Sequence, residues 1–391
     1  MIERELTMLN LSPLALHADR SRLRFTPGLD YIPGSALRGA VAALYLQTYD
    51  EDDLFRDIFL AEQVLFADLL PAKEETSGTL LPATARLCKR YGWEHKESLT
   101  DALLRLALAA EMENPEPLED EAWKFCPETD CQGVTKRDRT YGYVTPSFEQ
   151  VKVTKRLISG TALNRATGTA ESGMLFSQEV LEEGQLFRGV IRFKGDNAEA
   201  LFTRLEELLQ PGRQLRLGAA RSRGFGLVEV QGWREPLTGV SLESRWALFN
   251  EAVKELWAHY GAELNGAYFS LTLESHLLLR DELCCPLTRW KDYSNLSKAL
   301  GLEGVTLKRH IILPAIVRGW NALQGLPKED EFALGRGSVF LFRVEPDYEE
   351  EVQKRLAVIE KEGLGRRRGE GFGRVRICDP FHYYFVLKEV S

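Results

Sequence analysis

No run in this chain approaches the ~20 consecutive apolar residues of a membrane-spanning helix. The opening Met1-Ile2-Glu3-Arg4-Glu5 is charged and enters a strand pattern directly, so no secretory leader is expected and the chain reads as cytoplasmic. Cysteine is scarce: six in 391 residues exclude a disulfide framework as the source of stability. Positive charge is in deficit. The 50 Lys and Arg are outnumbered by 58 Asp and Glu, and a net charge of −8 excludes a generic basic nucleic-acid coat. It leaves room for a nucleic-acid surface built by local clustering. No Ser-His-Asp arrangement, Walker loop or acid–base pair at useful spacing is visible, which argues against an enzyme. At 391 residues the chain is long for one core, so two domains are expected.

What the chain has is a nine-residue pattern used twice. Residues 218–226 (Gly-Ala-Ala-Arg-Ser-Arg-Gly-Phe-Gly) and 365–373 (Gly-Arg-Arg-Arg-Gly-Glu-Gly-Phe-Gly) both read G-x-x-R-x-x-G-F-G. Each precedes a short alternating apolar run, Val228 and Val230 in one case, Val375 and Ile377 in the other. Glycine admits backbone conformations that other residues resist, successive N–H groups in such a turn form an anion-binding concavity, and arginine adds fixed charge. In both halves a strand introduced by glycine (Gly184, Gly337) precedes a helix, then the loop, then a strand. An internal repeat of about 150 residues is the simplest reading, with each copy suited to a phosphate chain.

Residues 6–18 read as a strand. Ile32-Pro33-Gly34-Ser35 starts a helix, with Ser35 as N-cap and Ala36, Leu37, Ala40, Val41, Leu44 and Tyr45 as its buried face. Residues 74–151 read as an insertion with three cysteines, an acidic run and one helix at 99–112. A strand at 186–193, a helix at 197–209, the first loop and a closing strand complete a β-α-β-β-α-β order, the ferredoxin-like split motif. A helix at 242–260 links the halves. The second half repeats the plan with a strand at 268–279, a hairpin at 305–317, a strand at 338–344 and a helix at 348–361. The expected fold is α+β: two ferredoxin-like (RRM-like) βαββαβ domains, 1–237 and 238–391, the first carrying the cysteine-containing insertion.

Three local features carry chemistry. Residues 223–230 resemble the RNP1 consensus, but Leu227 and Val230 stand where base-stacking aromatics belong, and the segment follows the second helix. The RNP1 reading fails on both counts. Cys88, His95, Cys126 and Cys131 can supply Cys3His to a structural zinc, holding an insertion too small for a core of its own. The alternative is cysteine as a small buried hydrophobe, the reading given to Cys284, Cys285 and Cys378. Basic clusters at Lys136, Arg137 and Arg139, at Lys155 and Arg156, and at Arg374 and Arg376 accompany the loops, with acidic runs elsewhere.

Residues 32–39 (Ile-Pro-Gly-Ser-Ala-Leu-Arg-Gly), residues 162–170 leading to Gly173-Met174-Leu175-Phe176, and a glycine loop ending each half together resemble the RAMP superfamily of CRISPR RNA-binding proteins. Two such modules, the first with a cysteine-bearing insertion, look most like the double-RAMP five-type subunit of subtype III-D effector complexes. That resemblance implies a non-catalytic cap on the 5′ repeat-tag end of the guide RNA. It implies guide RNA and, indirectly, target RNA as partners, together with a large polymerase-like subunit and backbone RAMP subunits, and no membrane. It puts Gly34, Ser35 and Arg38 beside the RNA, where a helix N-terminus can hold a phosphate. It also puts Gly218, Arg221, Arg223, Gly224, Gly226, Arg368, Gly371 and Gly373 on the guide backbone. A hairpin at 151–176, with Lys155, Arg156, Asn164 and Arg165, corresponds to the thumb-like element that kinks the guide–target duplex. Tyr31, Tyr141 and Tyr143 are candidates for stacking on splayed bases.

Some RAMP relatives process precursor RNA with a histidine base, and others cut target RNA with a loop aspartate. His17, Asp19 and Asp30 are the counterparts here, and Asp30 lies closer to the helix than a cleavage aspartate should. A binding subunit is therefore expected ahead of a RAMP endoribonuclease and ahead of a protein-only scaffold. The two loops are unequal. The first spaces two arginines across its turn and suits RNA; the second holds Glu370 beside Arg366, Arg367 and Arg368 and suits a subunit contact.

Overall fold

The computed structural model describes residues 1–17, 25–112, 122–131, 133–136, 142–163, 166–237, 239–281, 284–287, 296–321 and 324–390. It is a mixed α+β fold built on two antiparallel sheets.

The first sheet uses β1 (Ile2–Asn10), β2 (Leu70–Lys73), β3 (Leu186–Phe193) and β4 (Leu227–Arg234) in the order β4-β1-β3-β2. Alternation turns Leu6 and Met8 of β1 inward, opposite Phe187 and Ile191 of β3. Two helices cover this face. In α1 (Gly34–Thr48) the buried Leu37, Val41 and Tyr45 recur at helical spacing; in α2 (Ala198–Leu208) Leu201, Phe202, Leu205 and Leu208 do the same. The N-cap of α1 is Pro33, not Ser35, and it offers no side-chain cap. The role passes to a distant carboxylate: the Gly34 N–H donates to Asp68 Oδ1 at 2.9 Å.

The second sheet follows the linking helix α3 (Leu242–His259), whose N-cap Ser241 accepts from the Ser244 N–H. It contains β5 (Ala267–Leu273), β6 (Val305–Ile311), β7 (Val339–Val344) and β8 (Val375–Ile377), in the order β8-β5-β7-β6. This repeats the order of those four strands of the first sheet, which also carries the short strands Val64–Leu65, Thr76–Ser77 and Gln214–Arg216, and α4 (Glu349–Glu362) stands where α2 does. Residues 305–317 are not one hairpin. β6 pairs with β7, whereas Pro314, which has no N–H for a ladder, begins a strand that turns away to pair with residues 331–334.

Two features lie outside the sequence pattern. The aromatic-rich tail forms α5 (Pro380–Val390), packed on α3. The insertion, although it interrupts the first half, is anchored to the second. Leu103, Leu104 and Leu108 of its helix join Trp246, Phe249 and Val253 in the second core, each contributing about 2 kcal/mol by burial. Asp101 accepts from His382 Nδ1 at 3.1 Å, and His382 Nε2 meets Thr272 Oγ1 at 2.9 Å, all out of solvent. Cys378 is core, as expected. Cys284 and Cys285 are instead exposed, carried outward by a tight turn in which Cys284 has φ +62°. Among the described residues no helix is long and apolar enough to cross a membrane.

Candidate nucleic-acid interface and metal centre

The two loops have one backbone. Ala220 and Arg367 are both left-handed (φ +56° and +57°), as are Gly224 and Gly371 (+88° and +94°). A Cβ on Gly226 would lie 2.1 Å from Leu217 O, and one on Gly373 1.8 Å from Leu364 O, so glycine is required at both. Each loop hangs from the segment after the first strand of its own sheet. The Gly226 and Ala219 N–H groups donate to Pro13 O and Ala15 O; those of Gly373 and Arg366 donate to His276 O and Leu278 O. The sequence repeat is thus first a statement about fold.

Their surroundings differ. In the first loop Gly218, Arg221, Arg223 and Gly224 are exposed. Arg216 Nη1 donates to Arg221 O and Phe225 O, bracing the turn, and the exposed Arg213 lies near the start of the same short strand (Gln214–Arg216). None of these four arginines has an acidic partner among the described residues. Sequence reading missed Arg213 and Arg216 because they precede the motif; their density next to a glycine turn was the available signal.

The second loop is docked by its C-terminal half: Gly369, Gly371, Phe372 and Gly373 are buried, Arg367, Arg368 and Glu370 are half-buried, and Gly365 and Arg366 stay exposed. A Cβ on Gly371 would lie 3.2 Å from the Gly34 Cα, and the Gly369 N–H points at Glu62 Oε1. Arg367 donates to Glu331 and Glu370 at 2.5 and 2.8 Å and lies 4.7 Å from the Phe372 ring. Lys328 also pairs with Glu370, and Arg368 is 3.7 Å from Glu362. Burial alone would raise the Glu370 carboxyl, but Arg367 and Lys328 hold it at about 2. Arg374, just beyond the loop, donates to Val190 O of β3; burial, then Arg192, push it down to about 9.

The N-terminus of α1 lies in this joint. Asp68, raised by burial against the pull of Arg336, already occupies the Gly34 N–H. Arg336 stacks on Tyr31, 3.8 Å from the ring centroid, and its backbone N–H donates to His276 Nδ1. Burial and Arg336 hold His276 down at about 4. Arg38 donates to Phe59 O at the end of a short helix, and Ser35 is half-buried. An RNA phosphate here would have to displace an internal carboxylate. Tyr31 and Tyr143 are both buried, so neither stacks on a base; Tyr141 lies outside the described residues.

A hairpin does form, but over Lys155–Leu163 and Ala170–Leu181 rather than 151–176; Val151 pairs instead with Tyr143. Lys155 pairs with Glu179 and Arg156 with Glu183, while Leu157, Leu163, Leu175 and Phe176 are exposed. Asn164 and Arg165 lie outside the described residues. The second repeat has an equivalent arm, Pro314–Val317 with Glu331–Leu334. The bridges Leu14–Leu181 and Leu277–Leu334 close the two arms alike. Of the cleavage candidates, Asp30 accepts from the Tyr143 hydroxyl at 2.9 Å, His17 bridges Gly28, and Asp19 is outside the described residues.

The metal-ligand candidates do come together. One ligand atom each from Cys88, His95, Cys126 and Cys131 lies within 4.8 Å of the others, so the cluster can hold a metal. Cys88 Sγ is 3.7 Å from Cys131 Sγ, and His95 Nδ1 is 3.2 Å from Cys126 Sγ. Burial disfavours the Cys88 thiolate, yet the Tyr91 and Arg90 N–H groups aimed at its sulfur bring the thiol below its usual value. Burial pushes Cys126 up to about 11, a value that a bound cation would reverse.

A family model for the RAMP superfamily matches residues 10–229. This chain belongs to the RAMP superfamily. No curated protein matches it. Among solved structures, a chain of a type III-B Cmr-beta complex bound to cognate target RNA is 12% identical, with 86% of each chain covered and a TM-score of 0.44. Cmr4 (Cas7) of Pyrococcus furiosus is 17% identical, with 60% of this chain and 100% of that chain covered and a TM-score of 0.26. A further Cmr4 crystal structure is 13% identical, with coverages of 60% and 99% and a TM-score of 0.27. The family match ends just after the first glycine loop, so it takes in the exposed loop of this RAMP protein and leaves out the docked one.

Proposed function

We propose that this RAMP protein is a non-catalytic guide-RNA-binding subunit of a type III CRISPR effector, of subtype D, which caps the 5′ repeat-tag end of the guide. Membership of the RAMP superfamily supports the class. The matching strand orders β4-β1-β3-β2 and β8-β5-β7-β6, each with a helix after the third strand, support two ferredoxin-like modules. The observation that carries the reading is the contrast in arginine company. Arg213, Arg216, Arg221 and Arg223 are exposed and, among the described residues, have no acidic partner on a protein of net charge −8, whereas in the second loop Arg367 and Arg368 are paired and Arg366 alone is exposed without one. Unpaired cations around a glycine turn suit a phosphate backbone, read without base specificity. The large subunit and the backbone subunits are the protein partners of this reading, and the hairpin 155–181 is its contact with the guide–target duplex.

Cys88, His95, Cys126 and Cys131 hold a structural zinc in this proposal. Tetrahedral coordination at ~2.3 Å per thiolate sets sulfurs about 3.8 Å apart, and the Cys88–Cys131 separation of 3.7 Å fits. Four protein ligands leave no open position, so the ion supplies folding energy to the insertion and no chemistry. Filter binding of guide RNA tests the central reading: Arg221→Glu with Arg223→Glu should weaken binding tenfold or more, and unchanged affinity would favour a protein-only scaffold. Metal analysis tests the second: about one zinc per chain, lost in Cys126→Ser, is the expected result.

A further inference from the structure

We infer that the outer face of the cysteine–histidine knuckle is a second contact for single-stranded RNA, with Tyr91 and Phe125 as base-stacking platforms. The inference rests on the RNA-binding reading above for its class of partner, but on different residues. The knuckle is two-sided. Cys88, Cys126 and Cys131 are buried on the inside, and the strand segments that carry them turn Phe125 and Val134 out opposite one another, 51% and 44% exposed. Tyr91 is 48% exposed although its ring stacks on ligand candidate His95, 4.4 Å between centroids.

Three large apolar groups in solvent on so small a unit need a partner. Cations border them. The Lys89 N–H donates to Val134 O, which sets the exposed Lys89 and Arg90 beside the Phe125–Val134 pair; neither has an acidic partner among the described residues. Of the described acids of the segment, Glu94 and Glu97 lie in the short helix Gly92–Ser98, Glu94 with its N–H donating to Tyr91 O, and Glu128 and Asp130 lie in the turn between Cys126 and Cys131. Exposed rings flanked by unpaired cations match a strand that offers stacked bases and phosphates, and they suit an apolar protein groove less well. The His95 stack fixes the Tyr91 ring in advance, so little of its side-chain freedom is lost on binding.

The test uses full-length, zinc-loaded protein and a fluorescent oligouridylate of about 20 nucleotides. Tyr91→Ala with Phe125→Ala, and separately Lys89→Glu with Arg90→Glu, should each weaken binding about tenfold at unchanged zinc content and thermal midpoint. Ultraviolet crosslinks should map to Tyr91 or Phe125. If the alanine pair loses zinc, the charge-reversal pair gives the reading. Unchanged affinity in that pair overturns the proposal, as does unchanged affinity combined with loss of a co-purifying effector subunit, which assigns the face to protein. Arg221→Glu with Arg223→Glu, measured in parallel, separates the two ideas. Loss there alone sinks only the knuckle contact; loss at the knuckle alone sinks only the first-loop interface.

Discussion

Residues 218–226 and 365–373 make the same turn with left-handed residues at the same places, yet one copy faces solvent and the other is packed against α1. The shared part is what the backbone needs: glycine at Gly226 and Gly373, where a carbonyl oxygen comes too close for a Cβ. The divergent part is electrostatic. At the position of Ala220 the second copy has Arg367, locked between Glu331 and Glu370. Duplication preserved a fold device, and the neighbours of each copy then decided whether its arginines are free for an anion or used to join the sheets.

The largest effect that separates the copies should come from a matched pair of alanines. Gly224→Ala meets open space and pays only for its φ of +88°, about 1 kcal/mol; Gly371→Ala meets the Gly34 backbone as well and should lose ~3 kcal/mol in urea unfolding. Equal losses would mean that the second loop is not docked. Next comes acid. Folded His276 sits near 4 against 6.5 unfolded, so its stabilisation is complete above pH 6.5 and lost as pH falls toward 4, roughly 2 kcal/mol by pH 5. His276→Gln should flatten that limb. His310, also lowered by burial and Arg309, adds to the same limb, whereas His382, which burial would lower but Asp101 raises, acts in the opposite sense, above pH 6.5. Pro13, which plays the part of His276 for the first loop, cannot titrate.

Smaller again, Arg367→Ala should cost ~1.5 kcal/mol of stability and leave RNA affinity unchanged, because Glu331 keeps Arg280 and Glu370 keeps Lys328. Lys328→Ala, which removes a half-exposed pair, should cost ~0.5 kcal/mol, measurable only against the intact Arg367 background.

Much of this was legible in the sequence. Both loops, the strand at 186–193, the linking helix and the four knuckle ligands rest on local signals: glycine spacing, alternation, helical period and cysteine chemistry. What escaped depends on distant partners. Nothing near Gly34 announces Asp68 as its cap, so Ser35 looked like the N-cap. The burial of the second loop is set by Glu62 and Gly34, some 300 positions earlier in the chain, which no local pattern encodes. Arg336 gives no hint that it stacks on Tyr31 and turns a candidate base-stacking ring into a structural one. Helix α5 hid because Phe381, His382, Tyr383, Tyr384 and Phe385 show no polar face to mark a helical period.

The most direct measurement is guide-RNA affinity as a function of salt for two alanine pairs, Arg221→Ala with Arg223→Ala and Arg367→Ala with Arg368→Ala. If the first loop binds the backbone and the second joins the sheets, the first pair loses tenfold or more and flattens the salt slope by about 1.4, two contacts at ~0.7 each, while the second pair changes neither. Equal losses from both pairs, or no loss from the first, would contradict the division of labour between the loops.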